Sequence, residues 1–324
     1  MMGDIKRILV TGAVGQIGSE LTLALRARYG ADNVVAAGHH TKPSAALFES
    51  GPYETLDVCR CADIAAVIAK HKIDTVVHMA ALLSAVGEKN PQLCWDVNVN
   101  GLYNVLELAR DLTLTQVFCP SSIAVFGPET PRDDTPQETI MRPKTMYGAT
   151  KVSGELLCDY YHRRFGIDAR GVRYPGIISS ETLPGGGTTD YAVAIFYEAI
   201  KVGRYRCFLR ADSTLPMMYM PDCVKATMDL MEADGSRLKH RADYNLAAVS
   251  FDPAQLAAEI KKHIPGFTIT YEPDSRQAIA DSWPRSIDDR VARKEWGWRP
   301  AYDLATMATD MLRVLGQRHK EGKL

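Results

Sequence analysis

The opening of the chain, from Lys6 through Ile8, Leu9 and Val10 to Thr11, Gly12, Gly15 and Gly18, constrains the fold more than any other stretch. A short β-branched run enters a turn with glycines three apart and leaves as an amphipathic segment from Gln16 to Tyr29. That is the pattern of a strand, a phosphate cradle and a helix. Gly12 allows the tight turn, Gly15 lets the backbone approach a pyrophosphate, and Gly18 lets the helix pack closely on the strand. The helix N-terminus, with Gln16 and Ile17 in its first turn, then offers unpaired N–H groups and partial positive charge to the phosphates. The expected ligand is a dinucleotide.

The first half continues in the same grammar. Runs at 33–37, 53–57, 74–80 and 115–120 read as strands, and segments at 61–71 and 91–110 read as helices. The strands are continuously apolar rather than alternating, which argues for a parallel sheet covered on both faces. The segment 91–110 is apolar almost all round, so both of its faces are expected to be buried. After Tyr174 loops lengthen, glycine and proline cluster, and helices at 190–202, 222–232 and 253–263 stand among isolated strand-like pieces. The predicted fold class is α/β, a Rossmann-like doubly wound parallel sheet with a smaller C-terminal substrate-binding lobe. The division falls at 1–175 for the dinucleotide-binding domain and 176–324 for the lobe, with some segments returning to the first domain.

Composition narrows the function. The chain has 324 residues, 46% hydrophobic and 24% charged, and a formal net charge of −1 with no long run of one sign. Neither a nucleic-acid nor a membrane-surface partner is expected, and no apolar stretch is long enough to span a bilayer. The seven cysteines are scattered, with no C-x-x-C pair, so neither a disulfide framework nor a thiolate zinc site is signalled.

A strand ending in an acid is expected to hold the adenosine ribose. Here the second strand is followed by Gly38-His39-His40-Thr41-Lys42, with no carboxylate. His39, His40 and Lys42 either meet a 2′-phosphate or form a solvated loop. Asp57, closing the third strand, is a candidate for the adenine edge or simply a carboxylate at a helix N-terminus.

Tyr147 and Lys151 stand at i and i+4, on one face of a helix. A free phenol titrates near 10, so use as a base near neutrality requires roughly 3–4 kcal/mol of preferential phenolate stabilisation. A neighbouring ammonium in a desolvated cleft acts in that direction. Together with TGAVGQIG, the strand end His78-Met79-Ala80-Ala81, Asn98 with Gly101, and Ser122 in PSSIAVFG, this constellation resembles the short-chain dehydrogenase/reductase superfamily in its extended branch. The C-terminal IDDRVARKEWGWRPAYDL also looks like that branch. The resemblance implies Tyr147 as general base, Lys151 on the nicotinamide ribose and the tyrosine, and Ser122 on the reacting oxygen. It also implies cofactor contacts at His39, Leu56, Asp57, Ala80 and Ala81, and at Asn98, Tyr174 and Ile177.

Two absences separate the chain from the nucleotide-sugar members of that branch. Gly176-Ile177-Ile178-Ser179 replaces an asparagine and a Tyr-Gly-Pro turn, and the segment from Pro216 to Cys223 lacks the arginine that grips a diphosphate. The three glycines at 185–187 with Thr188 and Thr189, the segments 82–91 and 120–132, and Asp281-Ser282-Trp283-Pro284-Arg285 look like the short-chain-type L-threonine 3-dehydrogenases. That resemblance implies NAD as cofactor and L-threonine as substrate, oxidised at C3 without a metal, with Ser84, Ser122, Tyr147, Thr188, Thr189 and Trp283 around it. The glycines then serve a mobile lid. The alternatives are a nucleotide-sugar epimerase or dehydratase and a non-catalytic NAD(P)-sensing module, and the latter typically lacks the complete Ser-Tyr-Lys set. The resemblance further implies a homodimer packed through the helices around 95–110 and 147–165, and a mitochondrial matrix or cytoplasmic location. No presequence is visible, and the C-terminal Gly-Lys-Leu is a weak likeness of a peroxisomal address.

Overall fold

A computed structural model describes residues 5–182 and 187–324. The strands of the first half are β1 (Ile8–Thr11), β2 (Val34–Gly38), β3 (Tyr53–Thr55), β4 (Thr75–His78), β5 (Gln116–Phe118), β6 (Ser121–Ser122), β7 (Ala169–Arg170), β8 (Val172–Tyr174) and β9 (Gly176–Ile178). Six of them form one parallel sheet in the order β3-β2-β1-β4-β5-β7. β1, β2 and β4 are buried at every residue, as strands covered on both faces must be. The strand order reverses between β1 and β4, so the crevice at their carboxyl ends is where such a sheet binds its ligand. Gly12 follows one of these ends and Met79 the other.

The second half adds β10 (Arg204–Cys207), β11 (Leu215–Tyr219), β12 (Tyr244–Asn245), β13 (Val249–Phe251) and β14 (Thr268–Tyr271). β11 lies between β9, parallel to it, and β13, antiparallel. β10 and β14 pair separately. β12 crosses back to pair in parallel with β8, which also pairs with β6. A Cβ on Gly171, between β7 and β8, would stand 2.0 Å from the Cys119 carbonyl oxygen, so only glycine lets the two segments pass this closely. The cores interlock as well: Met218, Met220, Leu246 and Trp298 bury themselves with Ile8 and Val10. The Asp222 carboxylate accepts the N–H groups of Ala301 (2.8 Å) and Tyr302 (3.1 Å), tying the C-terminal segment to this assembly. No helix is long and apolar enough to cross a membrane, among the described residues.

The helix Gln16–Tyr29 buries Gly18, Leu21, Thr22, Leu25 and Arg26, the one-sided spacing of a helix lying on a sheet. The segment expected to be buried all round departs from that reading. It runs as Pro91–Trp95, a π-helical turn Asp96–Asn100, and Gly101–Asp111. Val105, Leu106 and Ala109 face the core, but Leu93, Trp95 and Tyr103 remain 50%, 39% and 45% exposed. The chain buries one face of this helix and leaves the other open.

Candidate active site

A cavity of about 430 Å3 opens at the reversal point of the sheet. Gly12, Gly15, Gln16, Ile17 and Gly18 form one wall. Gly12 has φ +65°, and a Cβ there would sit 2.5 Å from the Ala80 nitrogen; a Cβ on Gly18 would sit 2.3 Å from the Gly12 carbonyl oxygen. Those two glycines are required by the fold itself. Gly15 is not, since a Cβ there would meet nothing nearer than 3.3 Å. Its side-chain-free surface faces the cavity, and it caps the helix without a side-chain bond to the first N–H groups. The Gln16 Nε2 is buried on the same wall with no partner among the described residues. Free N–H groups, a bare backbone and an unanswered amide fit a bound pyrophosphate.

The opposite wall carries Tyr147, Lys151 and Ser122. The helix Met146–Phe165 starts at Thr145, whose Oγ1 accepts the Gly148 N–H at 3.0 Å, while a Glu88 carboxylate oxygen accepts the Met146 N–H at 2.7 Å. Gly148 lets this helix press on the turn Ile123–Val125, where a Cβ would stand 2.3 Å from the Ala124 carbonyl oxygen. Tyr147 and Lys151 both line the cavity, with the ammonium 5.6 Å from the phenol ring centroid. Lys151 Nζ also donates to the Pro120 carbonyl at 2.8 Å, which fixes it beside β6 and Ser122. Ser122 Oγ accepts the Ala124 N–H at 3.2 Å, leaving its own proton to donate into the cavity.

Ser84, Thr188, Thr189 and Trp283 line the same cavity, as do Ala81, Tyr174 and Ile177. Thr188 Oγ1 is buried there without a partner among the described residues. Trp283 is held by its carbonyl, which accepts from Arg132 Nε at 3.1 Å. Thr189 comes so near Gly176 that a Cβ on the glycine would lie 2.7 Å from it. Gly185 and Gly186, the first two glycines of the tract, lie outside the described residues.

Other expected residues stand elsewhere. Ala80 lies behind Gly12 rather than on the cavity wall. His39, Leu56 and Asp57 sit beyond it, around the ends of β2 and β3; His39 is exposed, and Asp57 accepts the Cys59 N–H at 2.9 Å. Asn98 is turned away from the cavity. Its amide embraces Leu82, with Oδ1 accepting the N–H at 2.8 Å and Nδ2 donating to the carbonyl at 3.0 Å, and Nδ2 also donates to Thr150 Oγ1 at 3.0 Å. It therefore clamps the Leu82–Ser84 loop to the helix Met146–Phe165. Asp190 also lines the cavity, and sequence reasoning missed it; its signal is its place directly before the helix Tyr191–Val202. Among the described residues, Glu138, His240 and Asp243 gather within 4.8 Å as conceivable metal ligands, but none lines this cavity and Arg173 stands 4.0 Å from Asp243.

The cradle helix carries one partly buried acid. Glu20 accepts a hydrogen bond from Ser179 Oγ, and burial pushes its carboxyl up to about 7 despite that bond and the Arg318 guanidinium. In the unfolded chain the group loses its proton near 4.5, so folding becomes less favourable as pH rises from there to about 7. Above that the whole penalty remains, up to about 3 kcal/mol. Glu20→Gln is expected to gain most of this at pH 8 and almost none at pH 4. Urea unfolding at both values checks it, and equal gains at the two would contradict it.

A phosphate cradle at the switch point, faced by a serine, a tyrosine and a lysine, defines a dinucleotide-dependent oxidoreductase on a Rossmann-like sheet. The chain belongs to the NAD dependent epimerase/dehydratase family, whose pattern matches residues 8–247. NAD is its cofactor. An uncharacterized epimerase/dehydratase of Staphylococcus haemolyticus is 52% identical over 98% of this chain and 99% of its own. Among solved structures, an L-threonine dehydrogenase from Phytophthora infestans is 54% identical, covering 98% of this chain and 100% of its own, with a TM-score of 0.92. One from Clostridium difficile is 51% identical over 98% and 99%, with a TM-score of 0.95. A monomeric L-threonine 3-dehydrogenase of metagenomic origin is 48% identical over 96% and 99%, with a TM-score of 0.92.

Proposed function

We propose that this chain oxidises L-threonine at C3 to 2-amino-3-ketobutyrate with NAD. What supports the reading is the convergence, in one cavity, of Tyr147, Lys151 and Ser122 with the small polar groups of Ser84, Thr188 and Thr189 and the apolar face of Trp283. Such a lining suits a small zwitterion better than a nucleotide sugar. β11, where a diphosphate-gripping cation would be needed, is buried along its whole length and reads Leu-Pro-Met-Met-Tyr.

NAD, when bound, supplies the hydride acceptor for the hydrogen on C3. Tyr147 Oη takes the proton of the 3-hydroxyl, so the alcohol loses one proton and one hydride and becomes a ketone. Lys151, placed against the phenol ring, stabilises the negative charge left on Tyr147 while the base waits. Ser122 donates to the substrate oxygen and holds it in line with the phenol, and Thr188 and Ser84 fix the rest of the amino acid. The test is the near-ultraviolet absorbance of reduced nicotinamide on mixing the protein with NAD and either L-threonine or UDP-glucose. Growth with threonine supports the reading; no growth with threonine overturns it. UDP-glucose serves as the control, because an epimerase or dehydratase returns the hydride to its sugar and accumulates no reduced nicotinamide.

The second copy expected for this chain fits the open side of the two helices. Leu156 and Tyr160 are 62% and 54% exposed, and Leu93, Trp95, Tyr103 and Phe165 extend the same apolar character. A homodimer through this face leaves Leu156→Asp as a monomer by sedimentation velocity, with wild type sedimenting as the dimer.

A further inference from the structure

The adenosine end of the cofactor site lacks the group that would restrict it to NAD. A dinucleotide site of this type places an acid about twenty residues past the last cradle glycine, where its carboxylate takes the ribose hydroxyls and repels a 2′-phosphate. Twenty residues past Gly18 is Gly38. It is the last residue of β2 and adjoins the cradle. The Ala13 N–H donates to the Ala37 carbonyl at 3.0 Å, and a Cβ on Gly38 would stand 3.1 Å from Val14 Cγ1.

That Cβ would also lie 2.3 Å from the Tyr53 hydroxyl. The tyrosine of the neighbouring strand occupies the room that an acidic side chain would need. The acids nearest along β3 are engaged elsewhere. Glu54 accepts from Lys70 at 2.7 Å and bonds to His71 at 2.6 Å, and Asp57 takes the Cys59 N–H at 2.9 Å. The loop leaving Gly38 instead bears two imidazoles and a lysine ammonium. His39 and His40 are exposed with ring centroids 3.6 Å apart, Lys42 is exposed, and none of the three pairs with an acid among the described residues.

We propose that this site accepts the 2′-phosphorylated dinucleotide, NADP, alongside NAD, with Gly38 and Tyr53 removing the repulsion and His39, His40 and Lys42 meeting the added phosphate. The inference rests on the dinucleotide reading of the cradle and not on threonine as substrate. Its test therefore contains no substrate and no turnover. Titration calorimetry of the full chain with AMP and with adenosine 2′,5′-bisphosphate, at low salt, compares the two adenosine ends directly. The bisphosphate is expected to bind at least as tightly as AMP, and its advantage should shrink as salt is added. Lys42→Ala with His40→Ala, both on exposed side chains, should weaken the bisphosphate roughly tenfold and leave AMP unchanged. Gly38→Asp combined with Tyr53→Ala should restore rejection of the bisphosphate while AMP still binds. Bisphosphate binding roughly a hundredfold weaker than AMP in the wild-type chain would overturn the proposal, as would equal loss of both ligands in the Lys42/His40 variant. Failure of threonine oxidation would leave it standing.

Discussion

Tyr147→Phe is expected to lower kcat for threonine oxidation by roughly 10^2- to 10^4-fold, the usual worth of a positioned acid–base group. The substitution is a clean one. Tyr147 is only 9% exposed and its ring belongs to the core that holds Ile123 and Val125, which a phenylalanine ring still fills. Its hydroxyl has no protein partner among the described residues and opens into the cavity, so its removal leaves no buried donor behind. Stability should therefore change by no more than about 0.5 kcal/mol. NAD affinity should hold to within a few-fold. Lys151→Met is the informative contrast, because it loses the charge beside the phenol and also the bond to the Pro120 carbonyl. A Tyr147→Phe enzyme that keeps kcat within a few-fold of wild type would remove the phenol from the reaction.

How much of this was legible in the chain depends on the range of the interaction concerned. The helix Gln16–Tyr29 and the helices Cys61–His71 and Pro253–His263 are set by apolar spacing and by caps within a few residues, and local pattern is enough to find them. The cradle was legible for the same reason, since its glycines answer to a turn and a helix start three residues away. Asn98 shows the opposite case. Its neighbours in sequence say helix, but its task is set by Leu82 and Thr150, sixteen and fifty-two residues distant, and by a π-turn that no periodicity announces. The return of β12 to β8 pairs a two-residue strand with a three-residue one, too short to carry any alternation. The open face of the Pro91–Asp111 region was not legible, because an apolar residue facing water and one facing the core are the same letter. At Gly38 the missing acid was visible, but the tyrosine hydroxyl that fills its place comes from another strand.

Arg173→Met is expected to destabilise the fold by about 3–5 kcal/mol, the cost of stranding a buried charge. Arg173 is 2% exposed, and its guanidinium holds Glu155 through two parallel bonds of 2.8 Å each. It donates as well to the Gln137 carbonyl at 3.0 Å and to Asn245 Oδ1 at 3.1 Å, and lies 5.3 Å from the Phe126 ring centroid. Without it the Glu155 carboxylate keeps, among the described residues, only the Ser121 hydroxyl, in a buried site. Asp243 still has His240 at 3.0 Å, so the loss concentrates on Glu155. Adding Glu155→Leu to Arg173→Met removes the stranded charge, and urea unfolding should then recover much of the loss, because a buried pair exchanged for apolar side chains is often close to neutral. Activity need not recover with it. Glu155 stands one turn beyond Lys151 on the same helix, and Ser121 adjoins Ser122, so the pair locks the strand that carries Ser122 to the helix that carries Tyr147 and Lys151. A double variant that is stable but slow would assign Arg173 and Glu155 to positioning the site; one that is stable and fully active would confine them to holding β8 against the helix.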